Sequence, residues 1–285
     1  MKQNFRRSYF TLDLEDFCFD FQRSLGIAEP ESRPKSILKS LDRVNQILSQ
    51  SKIDNFTNFV TGQVAHMHPE IVYELSKSGN EIGCHGNFHD NVCDMEKNLF
   101  RSELQKAKKS IEIASNQPLL GFRAPRLSIG KDDEWAFDIL KENFLYDSSE
   151  SLEVKGSRYN SSPYYTKSEG FFEIPLLKLK TIFGLKSIVI GGTYFKILPY
   201  KEIVRLLDEV IDLGYSPIIY AHPYEFLWEG EFWTDLKKIE NKPLGTIQYL
   251  RQNQWLKLGN KLFVKKLKKV LDNFPHQGNL KDMFT

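Results

Sequence analysis

An α/β fold is predicted for this 285-residue chain by three features of its sequence. Short apolar runs alternate with amphipathic helical repeats, no internal repeat or break in composition interrupts that order, and reactive polar side chains recur where the predicted strands end. Such alternation is typical of a parallel sheet, or of a barrel with helices outside it. With 41% hydrophobic and 27% charged residues, the composition is that of an ordinary globular protein.

The first half of the chain contains three predicted strands and three predicted helices. The strands are short apolar runs in 8–19, 56–62 and 81–86. Apolar side chains repeat at helical spacing in 35–49 and in 95–115. A further helix begins near Pro69, because proline is favoured in a first helical turn. Strands and helices therefore alternate from the start.

The second half continues the alternation. Pro125 stops any helix in 121–130 and forces the residue before it toward extended geometry, so Arg123 stands at a strand end. A helix around Trp135 and a short strand in 144–149 follow, and then a strand in 188–192. The helix from Lys201 to Leu213 has Gly214 as its C-cap. The last strand lies in 216–226 and is apolar until His222.

Acidic, imidazole and guanidinium groups recur at the predicted strand ends. In α/β barrels the carboxyl ends of the strands converge on one face and carry the site. Any one of these groups alone would be an ordinary polar residue after a strand, but together they predict one site. They are Asp13, Glu15 and Asp16 after the first strand, His85 after the third, then Arg123, Asp147 and His222.

The segment EIGCHGNFHD, residues 81–90, places His85 and His89 four residues apart. If the chain turns helically there, both imidazoles face one point, as in zinc sites that keep a position open to water. Two solvated loop histidines would have the same spacing. Cys84 and Cys93 flank the pair, but Cys84 is expected to point away from His85 on an extended segment, which argues against a zinc knot of all four residues.

The three carboxylates in residues 13–16 repel one another, and burying an unpaired ion is costly. We therefore expect a positive group beside them; without one, the cluster would be a solvated acidic turn. Arg123 presents a fixed fork that suits a carboxylate. It supplies one partner for the three acids.

The overall charge and the cysteine count limit the partners and the compartment. A formal net charge of +2 gives no field that would favour nucleic acid, so none is expected as a partner. Three Cys cannot make a disulfide framework for this length, and an odd count is typical of a reducing compartment. Acidic residues interrupt the apolar stretch after Arg7, and no window approaches eighteen apolar residues. We expect a soluble cytoplasmic protein.

The C-terminal residues 251–285 carry eight Lys and Arg against two Asp, a net charge of +6. We predict that they form a basic helical tail on or beside a barrel domain of residues 1–250. Within the tail, 260–274 repeats apolar residues at helical spacing with lysines around them. Such a helix either lies on an anionic membrane, which would make the protein peripheral to the inner face of the membrane, or packs on the barrel with solvated lysines.

Five segments, in this order, resemble the polysaccharide deacetylases of carbohydrate esterase family 4, which have the nodulation-protein-B homology fold. They are LDLED (12–16), HGNFH (85–89), FRAPR (122–126), YDSS (146–149) and AHPYE (221–225). The likeness covers residues 8–226. Two further segments, FEIPL (172–176) and GGTYFKILPY (191–200), are similar to those of exosortase-associated deacetylases of surface-polysaccharide gene clusters.

The resemblance implies a distorted (β/α) barrel and hydrolysis of an N-acetyl group on a sugar or glycan intermediate. It also implies a divalent metal, usually zinc, and by motif the metal ligands are Asp16, His85 and His89. Barrels of the resembled branch often associate, so a homo-oligomer is expected as well.

The motifs also imply the catalytic roles. Glu15, or Asp13, is the general base, and Arg123 holds that base. His222 is the general acid, oriented by Asp147.

This chain departs from the commonest family pattern, in which two adjacent Asp precede a Gly. Here the adjacent pair is Glu15 and Asp16, and Asp13 lies on the same strand face as Glu15. Which carboxylate binds the metal and which takes the proton is therefore open. Asp16 is favoured as the ligand because its adjacency to the presumed base matches the family pair.

The leading interpretation is a cytoplasmic metal-dependent N-deacetylase acting in surface-polysaccharide (O-antigen, capsule or exopolysaccharide) biosynthesis. If residues 260–274 contact a membrane, a lipid-linked glycan becomes a candidate substrate. A related branch with a similar Glu pair acts on small ureides, so a hydrolase of another carbon–nitrogen bond, able to work without metal, is one alternative. The other alternative is a non-catalytic glycan-binding barrel in which Arg123 merely neutralises the acidic cluster.

Overall fold

A curled sheet of eight strands forms an open barrel, which confirms the predicted distorted (β/α) barrel. The computed structural model describes residues 6–153, 162–181, 187–239, 241–242 and 244–284. The strands are β1 (Tyr9–Leu14), β2 (Thr57–Val60), β3 (Glu81–Cys84), β4 (Gly121–Phe122), β5 (Tyr146–Asp147), β6 (Ser151–Glu153), β7 (Tyr165–Ser168), β8 (Phe171–Glu173), β9 (Leu176–Leu179), β10 (Ile188–Val189) and β11 (Ile218–Ala221).

The order in the large sheet is β11-β1-β2-β3-β4-β5-β8-β7, and its neighbours are parallel except for the antiparallel pair β7 and β8. A smaller sheet, β10-β9-β6, is joined to the large one by an isolated bridge between Gly191 and Tyr220. The carboxyl ends of the parallel strands therefore gather at one rim, as predicted.

Helices cover the outside of the barrel. They are α1 (Phe17–Ser24), α2 (Pro34–Gln50), α3 (Gly62–Met67), α4 (Pro69–Lys77), α5 (Lys97–Ser115), α6 (Trp135–Leu140), α7 (Gly192–Ile197), α8 (Tyr200–Asp212), α9 (Leu236–Ile239), α10 (Gly245–Lys257) and α11 (Asn260–Asn273). Short 3₁₀ helices lie at Val92–Asp94, Pro125–Leu127, Lys131–Asp133, Pro223–Phe226 and Leu280–Phe284. Among the described helices, none is long and apolar enough to cross a membrane.

The central strand β1 is buried on both faces, and its alternation decides where the chemistry lies. Phe10, Leu12 and Leu14 are fully buried in the main hydrophobic core. The residues between them, Thr11 and Asp13, point to the opposite face, because successive side chains of a strand alternate. That face is the barrel interior, so an acid placed there faces the other strands.

The C-terminal residues close the amino-end floor of the barrel. The backbone N–H of Leu280 donates to Thr57 Oγ1 (2.8 Å) and that of Lys281 to Glu81 Oε2 (3.0 Å). Phe284 stacks on the ring of Tyr146, with centroids 5.5 Å apart. The end of the chain is therefore part of the barrel.

The helix α11 has its apolar face against the barrel. Phe263, Leu267 and Val270 are fully buried, and the Phe263 ring packs against Phe195 and Phe226 at 5.8 and 5.4 Å. The face expected to contact a membrane through residues 260–274 is therefore occupied by the protein itself, which corresponds to the second of the two alternatives. The predicted boundary at residue 250 lies inside α10.

Candidate active site

Three acidic residues at the end of β1 have three different partners. Asp13 Oδ1 accepts a hydrogen bond from Arg123 Nη1 at 2.9 Å. Glu15 Oε2 lies 2.9 Å from His89 Nε2. Asp16 turns away from both and caps α1, where its Oδ1 accepts from the backbone N–H of Phe19. The alternation of the strand places Asp13 and Glu15 on the same face, and the start of the helix removes Asp16 from it.

Asp16 is thus placed differently from the expected metal ligand. Its Oδ2 accepts from the Ser32 hydroxyl and from the backbone N–H of Arg33. Burial raises the pKa of Asp16 above its usual value, although these hydrogen bonds oppose the rise. Because both oxygens are used in capping and in holding the 32–33 loop, the structure does not bring Asp16 to His85 and His89.

Arg123 is fully buried and connects the end of β4 with β1 and β5. It donates from Nη1 to Thr11 Oγ1 (2.7 Å) as well as to Asp13, and from Nη2 to Ser148 Oγ (3.0 Å). Its guanidinium also lies 4.2 Å from the centre of the Phe59 ring. Burial raises the pKa of Asp13, but the charges of Arg123, His85 and His222 outweigh it, and the pKa is lowered. Asp13 is therefore an ionised acid, and of the two candidate bases it is the one in contact with Arg123.

The two histidines of the motif lie in a loop after β3 rather than on a helical turn. His89 has a φ of 56°, a left-handed conformation that is uncommon for a residue other than glycine and that recurs at functional sites. The two ring centroids are 5.2 Å apart. The expected convergence of His85 and His89 is thus observed, but a kinked loop produces it.

His85 has its tautomer fixed by the backbone of Arg123. Its Nδ1 lies 2.8 Å from the Arg123 carbonyl oxygen and donates to it, which leaves the lone pair on Nε2. Burial lowers the pKa of His85 to about 4, although Asp13 and Glu15 oppose this. A neutral imidazole with a free ring nitrogen is the form that binds metals. Cys84, in contrast, is buried in the hydrophobic core, and Cys93 is exposed, so the two cysteines do not join the histidines.

Asp20, in the first turn of α1, is a site residue that the sequence did not suggest. Its carboxylate is buried, and neither oxygen has a hydrogen-bond partner among the described residues. One ligand atom each of Glu15, Asp20 and His89 lie within 4.8 Å of one another. Burial and the charges of Glu15 and Asp16 raise the pKa of Asp20 well above its usual value. Glu15 and Asp20 are two buried acids close to each other, and the carboxylate of Asp20 is unpaired. A cation bound between them would offset their repulsion, so Glu15, Asp20 and His89 fit a divalent metal.

His222 lies at the end of β11 and lines the same cleft. Its Nδ1 is 3.5 Å from Glu225 Oε2 and 3.3 Å from the Tyr224 hydroxyl, which leaves Nε2 for the cleft. Burial lowers the pKa of His222, but the hydrogen bond and the charge of Glu225 outweigh it, and the pKa is raised to about 9. His222 is therefore protonated at neutral pH.

Glu225, rather than Asp147, is the carboxylate beside His222. It is fully buried, accepts from the backbone N–H of His222 (3.1 Å), and has Lys196 Nζ at 3.8 Å from its other oxygen. Gly192 allows this packing: its φ is +42°, and a Cβ there would lie 3.3 Å from Glu225 Oε1. The segment 191–200, noted for its resemblance, thus supports the acid–base pair.

Asp147 is buried elsewhere, at the end of β5. Its Oδ1 accepts from the Ser149 hydroxyl (2.6 Å), and Ser149 Oγ accepts in turn from the backbone N–H of Ala124 (2.7 Å). Its register partner on β8 is Glu173. Burial raises the pKa of Asp147 to about 6, although hydrogen bonds from Glu173 and Ser149 oppose the rise. In place of the expected contact with His222, Asp147 positions the backbone next to Arg123.

These groups open into a cleft of about 900 Å³. Aromatic side chains form much of its wall, and polar residues of α10 form one side. The lining includes Asp13, Glu15, Asp20, His89 and His222 together with Phe17, Phe21, Tyr194, Tyr220, Tyr224, Gln248, Arg251, Gln252 and Trp255. Phe232, further along the same segment as Tyr224, is buried in the core.

Two family models match this chain. Residues 37–138 match polysaccharide deacetylase, and residues 153–278 match a domain of unknown function, DUF3473. No curated protein matches. The second match includes His222, α10 and α11, so that region supplies part of the cleft.

Solved structures share the fold. A putative polysaccharide deacetylase from Mycobacterium smegmatis is 16% identical, with 98% of this chain and 89% of that chain covered and a TM-score of 0.55. A family 4 carbohydrate esterase from Streptomyces lividans in complex with acetate is 13% identical, with 98% and 94% covered and a TM-score of 0.50.

The acids and imidazoles at the strand ends of this α/β barrel lie where barrel enzymes carry their active sites. Residues 37–138 of this chain carry a polysaccharide deacetylase domain, which agrees with the resemblance carried by the five segments. The predicted enzyme class, a hydrolase acting on the carbon–nitrogen bonds of acetylated sugars, is confirmed with it.

Proposed function

We propose that this protein removes the N-acetyl group from a sugar intermediate of surface-polysaccharide biosynthesis with the help of one divalent metal ion, zinc being the expected one. The observation that carries the proposal is the meeting of three groups in one cleft. An ionised acid held by an arginine, a protonated histidine held by a glutamate, and a set of carboxylate and imidazole ligands all line the same wall.

The residues that would hold the metal are Glu15, Asp20, His89 and His85. The unpaired oxygens of Asp20 and the neutral His85 are the observations that favour this set. Oxygen and nitrogen donors of this kind suit zinc and related ions. When bound, the ion would polarise the acetyl oxygen and lower the pKa of a coordinated water from about 15.7 to about 7.

The side chains of this chain supply the proton transfers. Asp13 has one oxygen on Arg123, which leaves the other to accept the proton of the attacking water. Arg123 keeps Asp13 ionised and fixed in place. His222, protonated and turned by Glu225, donates to the sugar nitrogen as the carbon–nitrogen bond breaks. Positioned proton transfer of this kind contributes a factor of about 10² to 10⁴.

The cleft wall supports a sugar as substrate. Tyr194 and Trp255 line it with aromatic rings, which suit stacking on a pyranose ring. The surface-polysaccharide assignment rests on the resemblance of segments 172–176 and 191–200. A cytoplasmic location is supported by the three free cysteines, Cys18, Cys84 and Cys93.

The direct test is acetate release. We expect the protein to convert N-acetylated sugars to acetate and a sugar with a free amine. This activity should stop after treatment with a chelator and should return on addition of zinc. Acetate is measured by a coupled assay and the amine by mass spectrometry of the sugar. Turnover of ureides that survives chelation would replace this proposal by a metal-independent hydrolase, and tight sugar binding without turnover would replace it by a binding barrel.

The Glu225→Gln variant tests the positioning of the acid. Without the charge of Glu225, burial is the dominant influence on His222, so its pKa falls. We expect the alkaline limb of the kcat/KM profile, which starts near the His222 pKa of about 9 in the wild type, to move to lower pH. The matched control is Glu229→Gln, which removes the charge of an exposed carboxylate in the same segment. Superimposable profiles for wild type and Glu225→Gln would remove Glu225 from this role.

A further inference from the structure

Five large aliphatic side chains near the C-terminus are exposed to solvent. Their exposed fractions are 68% for Leu244, 60% for Ile247, 56% for Leu250, 74% for Leu258 and 54% for Leu262. Single exposed leucines are ordinary, but a contiguous group of them marks a contact surface. We call this group the α10 face.

Three of these residues share one groove. Ile247 and Leu250 lie in α10, Leu244 and Leu258 flank that helix, and Leu262 lies in the first turn of α11. Leu250, Leu258 and Leu262 together line a groove of about 730 Å³. Trp228 and Trp233 form the rest of its apolar wall.

Cations border this groove. Lys257 and Lys261 are among its lining residues. Lys257 Nζ lies 5.3 Å from the centre of the Trp233 ring, and Lys261 Nζ lies 5.6 Å from that of Trp228. The groove is therefore apolar in the middle and positive at its edge.

We propose that the α10 face docks on the surface of an anionic lipid membrane. An apolar patch with a lysine rim matches the acyl chains and the negative headgroups of such a surface. A second copy of this chain is a poorer occupant, because two faces with the same positive rim would repel each other. This surface differs from the buried apolar side of α11, which is part of the core.

The position of the face relates it to the cleft. Gln248, Gln252 and Trp255 of the same helix line the active-site cleft. Because α10 borders both the cleft and the α10 face, docking would bring the cleft next to the bilayer. The docking proposal stands on exposure and charge and does not depend on the reaction proposed above.

Vesicle co-sedimentation of the full chain tests the proposal. We expect binding to vesicles of phosphatidylglycerol and phosphatidylcholine and little binding to vesicles of phosphatidylcholine alone. The charge contribution is lost at about 1 M salt, where the Debye length is ~3 Å. The double variant Leu250→Asp/Leu258→Asp should lower the partition coefficient at least about tenfold. It removes two leucines that would be buried in the bilayer, and it adds two negative charges that the anionic headgroups repel. Lys257→Glu/Lys261→Glu should lower it by about fivefold or more per cation removed.

The matched control is Leu99→Asp/Ile113→Asp, which changes two exposed aliphatic residues of α5, on another surface. It should bind vesicles like the wild type, and thermal unfolding checks that every variant is folded. Equal binding by the α10 variants and the wild type would overturn the proposal, as would the absence of binding to anionic vesicles. If light scattering shows a dimer that the leucine variants dissociate, the face is a subunit interface and the proposal is wrong. Acetate release is not part of this readout, so failure here leaves the deacetylase proposal intact.

Discussion

Asp13→Asn is expected to lower kcat/KM for deacetylation by about 10²- to 10⁴-fold, the usual contribution of a general base. The amide keeps the size of the acid and an oxygen that accepts from Arg123, so the barrel interior stays packed around it. It cannot accept a proton from water. Steady-state kinetics on an N-acetylated sugar and elemental analysis of the same preparation measure both consequences, and metal content should remain at the wild-type level.

The comparison variant for this prediction is Asp147→Asn. Asp147 contacts Ser149, and Ser149 in turn contacts the backbone beside Arg123, so its loss should act on the position of the arginine and reduce the rate by less. An Asp13→Asn enzyme with the wild-type rate would assign the base to Glu15, the other alternative left by the sequence.

Glu15→Gln and His89→Ala are each expected to remove the bound metal and, with it, nearly all activity. Glu15 and His89 are in direct contact, and with Asp20 they form the group of ligand atoms within 4.8 Å. Removing either ligand lowers the affinity for the metal, and without the metal the remaining buried acids have no cation beside them. Metal per chain, measured by elemental mass spectrometry on untagged protein, should fall from about one in the wild type to near zero, as expected of a single site.

Asp16→Asn separates the two possible ligand sets. If Asp16 only caps α1 and holds the 32–33 loop, the variant keeps its metal. Its unfolding free energy should fall by less than the about 0.5–2 kcal/mol that alanine at an N-cap costs, since asparagine is itself a good N-cap. Chemical denaturation measures that change. A metal-free Asp16→Asn protein beside a metal-loaded Glu15→Gln protein would restore the ligand set Asp16, His85 and His89 and exclude the one proposed here.

The alternation of strands and helices and the strand-end residues were predictable because each depends on local sequence. Apolar runs, Pro125 and the polar residue after each run mark where strands stop, and parallel strands put those ends on one rim. Asp13, Arg123 and His222 accordingly lie where the sequence placed them.

The partners of these residues were less predictable, because they depend on where helices begin and on contacts between distant segments. Asp16 adjoins Glu15 in sequence, yet the start of α1 turns it to the cap position. Asp20 is one turn into a helix and carries no strand-end signal. Glu225 follows His222 by three residues. It reaches His222 because residues 223–226 form a 3₁₀ turn, and the spacing in the AHPYE segment does not by itself predict that turn.

The first part of α10 was missed for a physical reason. Helices are recognised in sequence by an apolar stripe that faces the core. In α10, Ile247 and Leu250 face solvent, while Gln252 and Leu256 are buried. The predicted helical tail therefore began at residue 251, and residues 245–250 gave no core-facing stripe that would extend it.

Arg123 has a consequence for how the site responds to motion. Its carbonyl oxygen orients His85, and its guanidinium orients Asp13, so one residue is the common reference point for a metal-binding imidazole and for the acid that handles the proton. A displacement of Arg123 would break or lengthen both hydrogen bonds, so it would disturb the metal-binding imidazole and the proton-accepting acid at the same time.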